Sequence, residues 1–337
     1  MSRLRSTELL TEQLVSFAWD EWAQMGVFTA PNCVSPWAQD PEALIVFTLE
    51  IGRRDPRLFD EVLDWMLANE TLFSVRRLRA MCIDQDDRKL VAGTIGWLAR
   101  QGPRARLKPR REDHAPGLTD LEPLFFGGGP FGDADPDFAA AGLLRSVLLA
   151  SWKSTAPDLE TSINFAFRLR AILGVGIRAE LIRVMLTSHP SPASSQMLAR
   201  AIGYSKRNVH DALAGLVSAQ VLMSFPIDGE QRYAINNEIW AALLQRDPAA
   251  LPIHRDWPQL LGALRLIVRW RVEEEQLRAS KYMRQSGTRQ LLVRISSDLA
   301  FAGIEVRQGV KAEQAPAEID RVLDSILHRL NPDYVDR

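Results

Sequence analysis

The sequence predicts a mainly α, multi-helical protein with a single β-hairpin near its middle. Three observations carry this. Apolar residues recur at helical spacing in almost every block of the 337 residues. Proline and glycine cut these blocks into ordinary helix lengths of about 8 to 20 residues. Strand-like alternation is scarce outside residues 221–236, where Asp228-Gly229 marks a tight hairpin turn.

Composition sets the outer limits. Hydrophobic residues make up 46% and charged residues 25%, as in globular proteins generally. At roughly 100–200 residues per domain the length suits two or three domains. The net charge of -1 excludes a polycation, so any anion-binding surface has to be local. Two distant cysteines, Cys33 and Cys82, give neither a disulfide framework nor a zinc ligand set. They fit a reducing compartment, and the expected location is cytoplasmic. The start, MSRLRSTELLTEQ, lacks the apolar run of a signal peptide. No run of about 18 apolar residues occurs, so no membrane is expected as partner.

Residues 1–100 read as an N-terminal helical domain. TELLTEQLVSFAWDEWAQMG aligns Leu10, Leu14, Phe17 and Trp22. Asp-Pro pairs place Pro41 and Pro56 in first helical turns. The next helix puts Leu58, Val62, Trp65 and Met66 on one face. SVRRLRAMC and DRKLVAGTIGWLARQ follow, with Arg76, Arg77 and Arg79 expected on a solvated face. Residues 101–136 form a Pro/Gly/Arg-rich connection in which Arg104, Arg106, Lys108, Arg110 and Arg111 read as a solvated linker. Residues 137–176 read as connecting helices, broken at Pro157 and at Gly174-Val175-Gly176.

Residues 177–246 change the order of elements. IRAELIRVMLTS is an amphipathic helix with Ile177, Leu181, Val184 and Met185 inward. Ser194 or Ser195 caps SQMLARAIG, whose inward residues are Leu198, Ala199 and Ile202. Gly203 permits a left-handed turn, and Ser205 caps the next helix. There Val209, Leu213, Leu216 and Val217 form the buried stripe, which turns Lys206, Arg207, Asn208 and His210 outward. Two cations at a helix start oppose the positive end of its dipole unless an anion arrives from outside. VLMSF and RYAIN are strands joined through Asp228-Gly229, and NEIWAALL opens a further helix. Helix, helix, turn, helix, strand, turn, strand is the order of a winged helix-turn-helix.

On Leu198-Ala199, Gly203, Ser205 to Asn208, Ala212-Leu213, Leu216-Val217 and the hairpin VLMSFPIDGEQRYAIN, residues 177–246 resemble the winged DNA-binding domains of ArsR- and MarR-type transcriptional regulators. The resemblance covers about a fifth of the chain. It implies that the helix from residue 205 to 219 enters a major groove while the hairpin lies along the backbone. Ser205, Lys206, Arg207, Asn208 and His210 match the groove-facing positions, and Arg232 is the wing candidate. Arg and Lys suit guanine, Asn suits adenine, and the Ser hydroxyl and helix-start amides suit phosphate. The hairpin tip departs from the pattern, because Asp228 and Glu230 repel phosphates. Nine cations against five acids over 165–246 give a local surplus of +4. The modest size favours a homodimer reading two half-sites.

Residues 247–337 read as a C-terminal helical region. Trp257 to Leu277 carries Leu260, Leu261, Leu264, Ile267, Val268 and Val272 and is the expected dimer or domain seam. A break is expected at Gly287, then a helix over TRQLLVRISSDLAFAG and a last one ending at Pro332. No cofactor, metal or catalytic constellation is expected. GGGPFG has neither the strand before it nor the helix after it that a dinucleotide loop needs. Asp133, Asp135 and Asp137 lack the glycine and terminal glutamate of a calcium loop.

The expected function is therefore transcription regulation on double-stranded DNA, not enzymatic. A small-molecule or protein effector would act through the flanking helices. The competing class is a winged-helix interaction scaffold or antitoxin-like component without specific DNA binding.

Overall fold

The structure is a computed structural model that describes residues 7–102, 121–127, 132–188, 192–276 and 280–330. The basic run from Arg104 to Arg111 and most of GGGPFG lie outside the described residues. The described chain is mainly helical with two small sheets. No described helix is long and apolar enough to cross a membrane.

The N-terminal helices are α1 (Thr7–Gln24), α2 (Pro41–Ile51), α3 (Pro56–Ala68), α4 (Val75–Ala80) and α5 (Gln85–Gln101). Asp40, Asp55, Ser74 and Asp84 cap α2 to α5 by accepting backbone N–H bonds. PEALIVFTLEI is apolar almost all round, and every residue of α2 is buried. Strands β1 (Glu122–Pro123) and β2 (Leu143–Leu144) pair in parallel around α6 (Pro136–Ala140).

Residues 145–164 are irregular, where connecting helices were expected. The reason is local. Both Asp64 carboxylate oxygens accept backbone N–H bonds from Ser151 to Ser154, at 2.6–3.2 Å. Trp97 Nε1 donates to the Leu148 carbonyl, which holds the strand-like path against α5. Helix resumes at α7 (Phe165–Leu173).

Next come α8 (Ile177–Thr187), β3 (Ala193–Ser194), α9 (Ser195–Ile202), α10 (Lys206–Ser218), β4 (Met223–Ile227), β5 (Glu230–Ala234) and α11 (Asn237–Leu243). Both hairpin strands run closer to the tip than the sequence suggested. Asp228 (φ 50) and Gly229 (φ 76) both adopt left-handed backbone, as a two-residue primed turn requires. The short strand β3 was not foreseen. It pairs with β5, so the sheet order is β3-β5-β4, with Pro226 on the edge strand.

The C-terminal helices are α12 (Trp257–Gln276), α13 (Lys281–Phe301) and α14 (Ala315–Leu330). Gly287 does not break the chain but lies inside α13. The Trp270 ring occupies its side-chain space, and a Cβ there would stand 2.0 Å from Trp270 Cη2. The α12 stripe is a seam within the chain. Leu260, Leu261, Leu264, Ile267 and Val268 are buried in one core with α1 to α5, α13 and α14, which leaves none of these five for a second copy. Trp257 stacks among Phe17 and Trp37 and donates to the Ala38 carbonyl. A second core joins α7 to α11 with β5.

Candidate nucleic-acid interface

The exposed end of α10 is built by local rules. Ser194 Oγ caps α9 by accepting the Met197 N–H at 3.2 Å. Gly203 ends α9 in the left-handed region (φ 68, ψ 33), and its N–H bonds the Ala199 carbonyl. Ser205 Oγ accepts the Asn208 N–H at 3.3 Å and starts α10. Val209, Ala212, Leu213 and Leu216 face the core.

The start of α10 collects five of the six expected contact residues. Ser205, Lys206, Arg207 and His210 are exposed together, and Asn208 is half-buried beside them. Among the described residues Lys206 and Arg207 form no ion pair and no side-chain hydrogen bond. No acid occupies the first turn of α10, so its first amides and two cations present positive charge outward, with Asp211 one turn further on. His210 has Asp211 for a neighbour, Nδ1 to Oδ1 3.9 Å.

Arg232 stands apart. Its guanidinium lies 2.9 Å from Glu230 on the same face of β5 and reaches Met197 Sδ. Most of the other cations counted over 165–246 are also engaged. Arg168 pairs with Glu160, Arg200 with Asp298, and Arg246 donates to the Glu160 carbonyl. The surplus of +4 is thus no measure of free surface charge, and the free part is concentrated at the start of α10.

Sequence reasoning missed two things. Arg178 is exposed at the start of α8, with Nη2 3.9 Å from where a Cβ on Gly215 would sit. Gly215 lies about 80° round the helix from Arg207 and about 180° from Lys206, so Arg178 stands on a different flank of α10 from those two cations. The second is a buried ion network behind the interface. Asp40, Glu42 and Glu180 meet Arg77, Arg170 and Arg183, all six buried. Arg77 bonds Asp40 and Glu42, and Arg170 bridges Glu42 and Glu180 at 2.7 and 2.6 Å. Arg183 reaches Asp40 and Glu180, both at 3.0 Å.

Arg77 was expected on a solvated face. It is instead buried, because its charge is matched by two carboxylates and its Nε donates to the Ile202 carbonyl at 2.9 Å. Ile202 is the last residue of α9, so the network moors the turn before α10 to α2 and α4. The charges of the six groups sum to zero. Burial alone would raise the Glu180 carboxyl, but Arg170, Arg183 and Arg77 outweigh it and hold it well below the usual range. The signal was available: Glu42 sits in a helix that is apolar almost all round, so it needs a buried partner.

Comparison of the chain with family models, with curated proteins and with solved structures returned no match.

Proposed function

We propose that residues 177–246 form a winged helix-turn-helix whose helix α10 reads duplex DNA, and that the chain is a transcription regulator. The observation that carries this reading is the unpaired pair Lys206 and Arg207 at the exposed start of α10. Phosphates and guanine edges are the partners that such a cluster fits. Ser205 uses its oxygen as a cap and keeps its own O–H for a phosphate. Arg232 is a weaker contact than the sequence suggested, since Glu230 already neutralises it.

A homodimer reading two half-sites supplies the affinity that one small cationic cluster lacks. Its seam is not α12. Ile239 and Leu243, one turn apart on α11, are an exposed apolar pair that a second copy can cover.

One observation favours the scaffold reading. The hairpin exposes Met223 and Ile227 beside Asp228 and Glu230, which suits a protein partner better than a phosphate backbone. Fluorescence anisotropy with a labelled random-sequence duplex separates the two. DNA reading predicts binding at about 50 mM salt that is lost by about 200 mM. Absence of binding at the lower salt overturns it in favour of the scaffold.

A further inference from the structure

Residues 28–36, FTAPNCVSP, run between α1 and α2 with neither helix nor strand. The ends are anchored, since Val27 and Trp37 are buried and the Pro36 carbonyl accepts the Ile253 N–H. The middle is not held by apolar packing. Phe28 is 75% exposed and Val34 83%, and neither joins a core. Side chains of α1 fasten the segment instead. Asp20 Oδ1 accepts the Asn32 N–H at 3.0 Å and its Nδ2 at 2.7 Å. Gln24 Oε1 accepts the Ser35 N–H at 2.7 Å. Glu21 Oε1 accepts the Ser35 hydroxyl at 2.6 Å.

Glu21 differs from the other two because the segment closes over it. It is 1% exposed, and Ser35, Trp37 and Gln39 are buried around it. Trp37 Nε1 and Gln39 Nε2 donate to its second oxygen at 3.1 and 2.7 Å. All three donors are neutral, and among the described residues no cation bonds the carboxyl. The charged groups nearby are otherwise occupied. Asp20 on α1 bonds Asn32 and adds to the effect of burial. Asp40, one residue beyond Gln39, is held by Arg77 and Arg183. Before α12, His254 pairs with Asp256 at 3.0 Å, and Arg255 lies over the Trp37 ring at 5.5 Å.

A buried carboxylate without a cation is costly, and this one keeps its proton up to about pH 7. Lifting Ser35 away from α1 would give the ionised group water and return it to its ordinary range. We propose that residues 28–36 are a proton-operated strap, closed on α1 while Glu21 is protonated and released when that proton leaves. The closed state binds the proton more tightly than the open one. Closure is therefore favoured fully below about pH 4.5, and the advantage is lost as pH rises through 7. The proposal does not rest on the DNA reading.

Hydrogen exchange of the full chain tests it, read by mass spectrometry on peptides covering 28–36 at pH 5, 6, 7 and 8. After correction for the intrinsic rate, the Asn32 and Ser35 amides of wild type are expected to exchange about 70-fold faster at pH 8 than at pH 5, with most of the rise below pH 7. Amides of α14 are expected to stay slower than these at every pH, because the strap opens without unfolding the core. Glu21→Gln keeps the shape and has no proton to lose, so its strap is expected to show no such rise. If that variant fails to fold, the wild-type profile still decides. A flat wild-type profile, a rise that survives Glu21→Gln, or exchange of 28–36 only together with α14 overturns the proposal.

Discussion

Glu21 and Glu180 are both buried, yet their carboxyls move in opposite directions. Glu21 meets three neutral donors, the Ser35 hydroxyl, the Trp37 indole and the Gln39 amide, at 2.6–3.1 Å. Burial dominates there and pushes the carboxyl up to about 7. Glu180 meets three guanidinium groups, which overcome the same burial. Because the folded Glu21 carboxyl binds its proton more tightly than the unfolded one, its contribution to stability is complete below about pH 4.5 and lost as pH rises through 7. The difference amounts to about 3 kcal/mol. Chemical denaturation of wild type and Glu21→Gln at pH 5 and pH 8 is expected to show wild type losing about 2.5 kcal/mol relative to the variant, since the contribution is already partly lost at pH 5. Parallel curves at the two pH values would show that Glu21 does not titrate in this window. Neither environment was legible from the residue itself. Glutamate and arginine in a helix read as surface residues until the partner's position is known, and the partners of Asp40 lie up to 143 positions away.

At the scale of elements, periodicity and turn chemistry were enough where they acted alone. Val209, Leu213 and Leu216 announced α10, Gly203 announced the turn before it, and Asp228-Gly229 announced the hairpin. The same rules failed where tertiary packing overrode them. Gly287 stays helical because Trp270 fills its space, and residues 145–164 unwind because Asp64 collects their amides. The position of α10 depends on elements remote in sequence. Arg77 of α4 holds the end of α9 through the Ile202 carbonyl and neutralises the first turn of α2. Arg77→Met leaves two carboxylates and a carbonyl short of a partner. The expected loss is about 3–5 kcal/mol in urea denaturation, since a buried charge is left uncompensated. A loss under about 1 kcal/mol would mean that solvent enters and replaces the guanidinium.

Across the whole molecule, the N-terminal and C-terminal helices share one core, and α7 to α11 form another joined to it by the buried ions. The fold class was legible because helical spacing is a local property. The sharing of a core by residues 10 and 330 was not, because no local pattern records it. The candidate interface was legible in part. Its exposed residues follow from the α10 stripe, whereas the pairing of Arg232 required the three-dimensional neighbours. On a chain of net charge -1, the proposed DNA binding rests on a few free cations rather than on a general basic surface. The most direct test is the salt dependence of duplex binding by wild type and by the Lys206→Ala/Arg207→Ala double variant. Each lost phosphate contact lowers the slope of log K against log salt by about 0.9. If α10 reads DNA, the variant binds more weakly and its slope is shallower by about 2. An unchanged affinity and slope would contradict this reading, because DNA would then be bound without the start of α10.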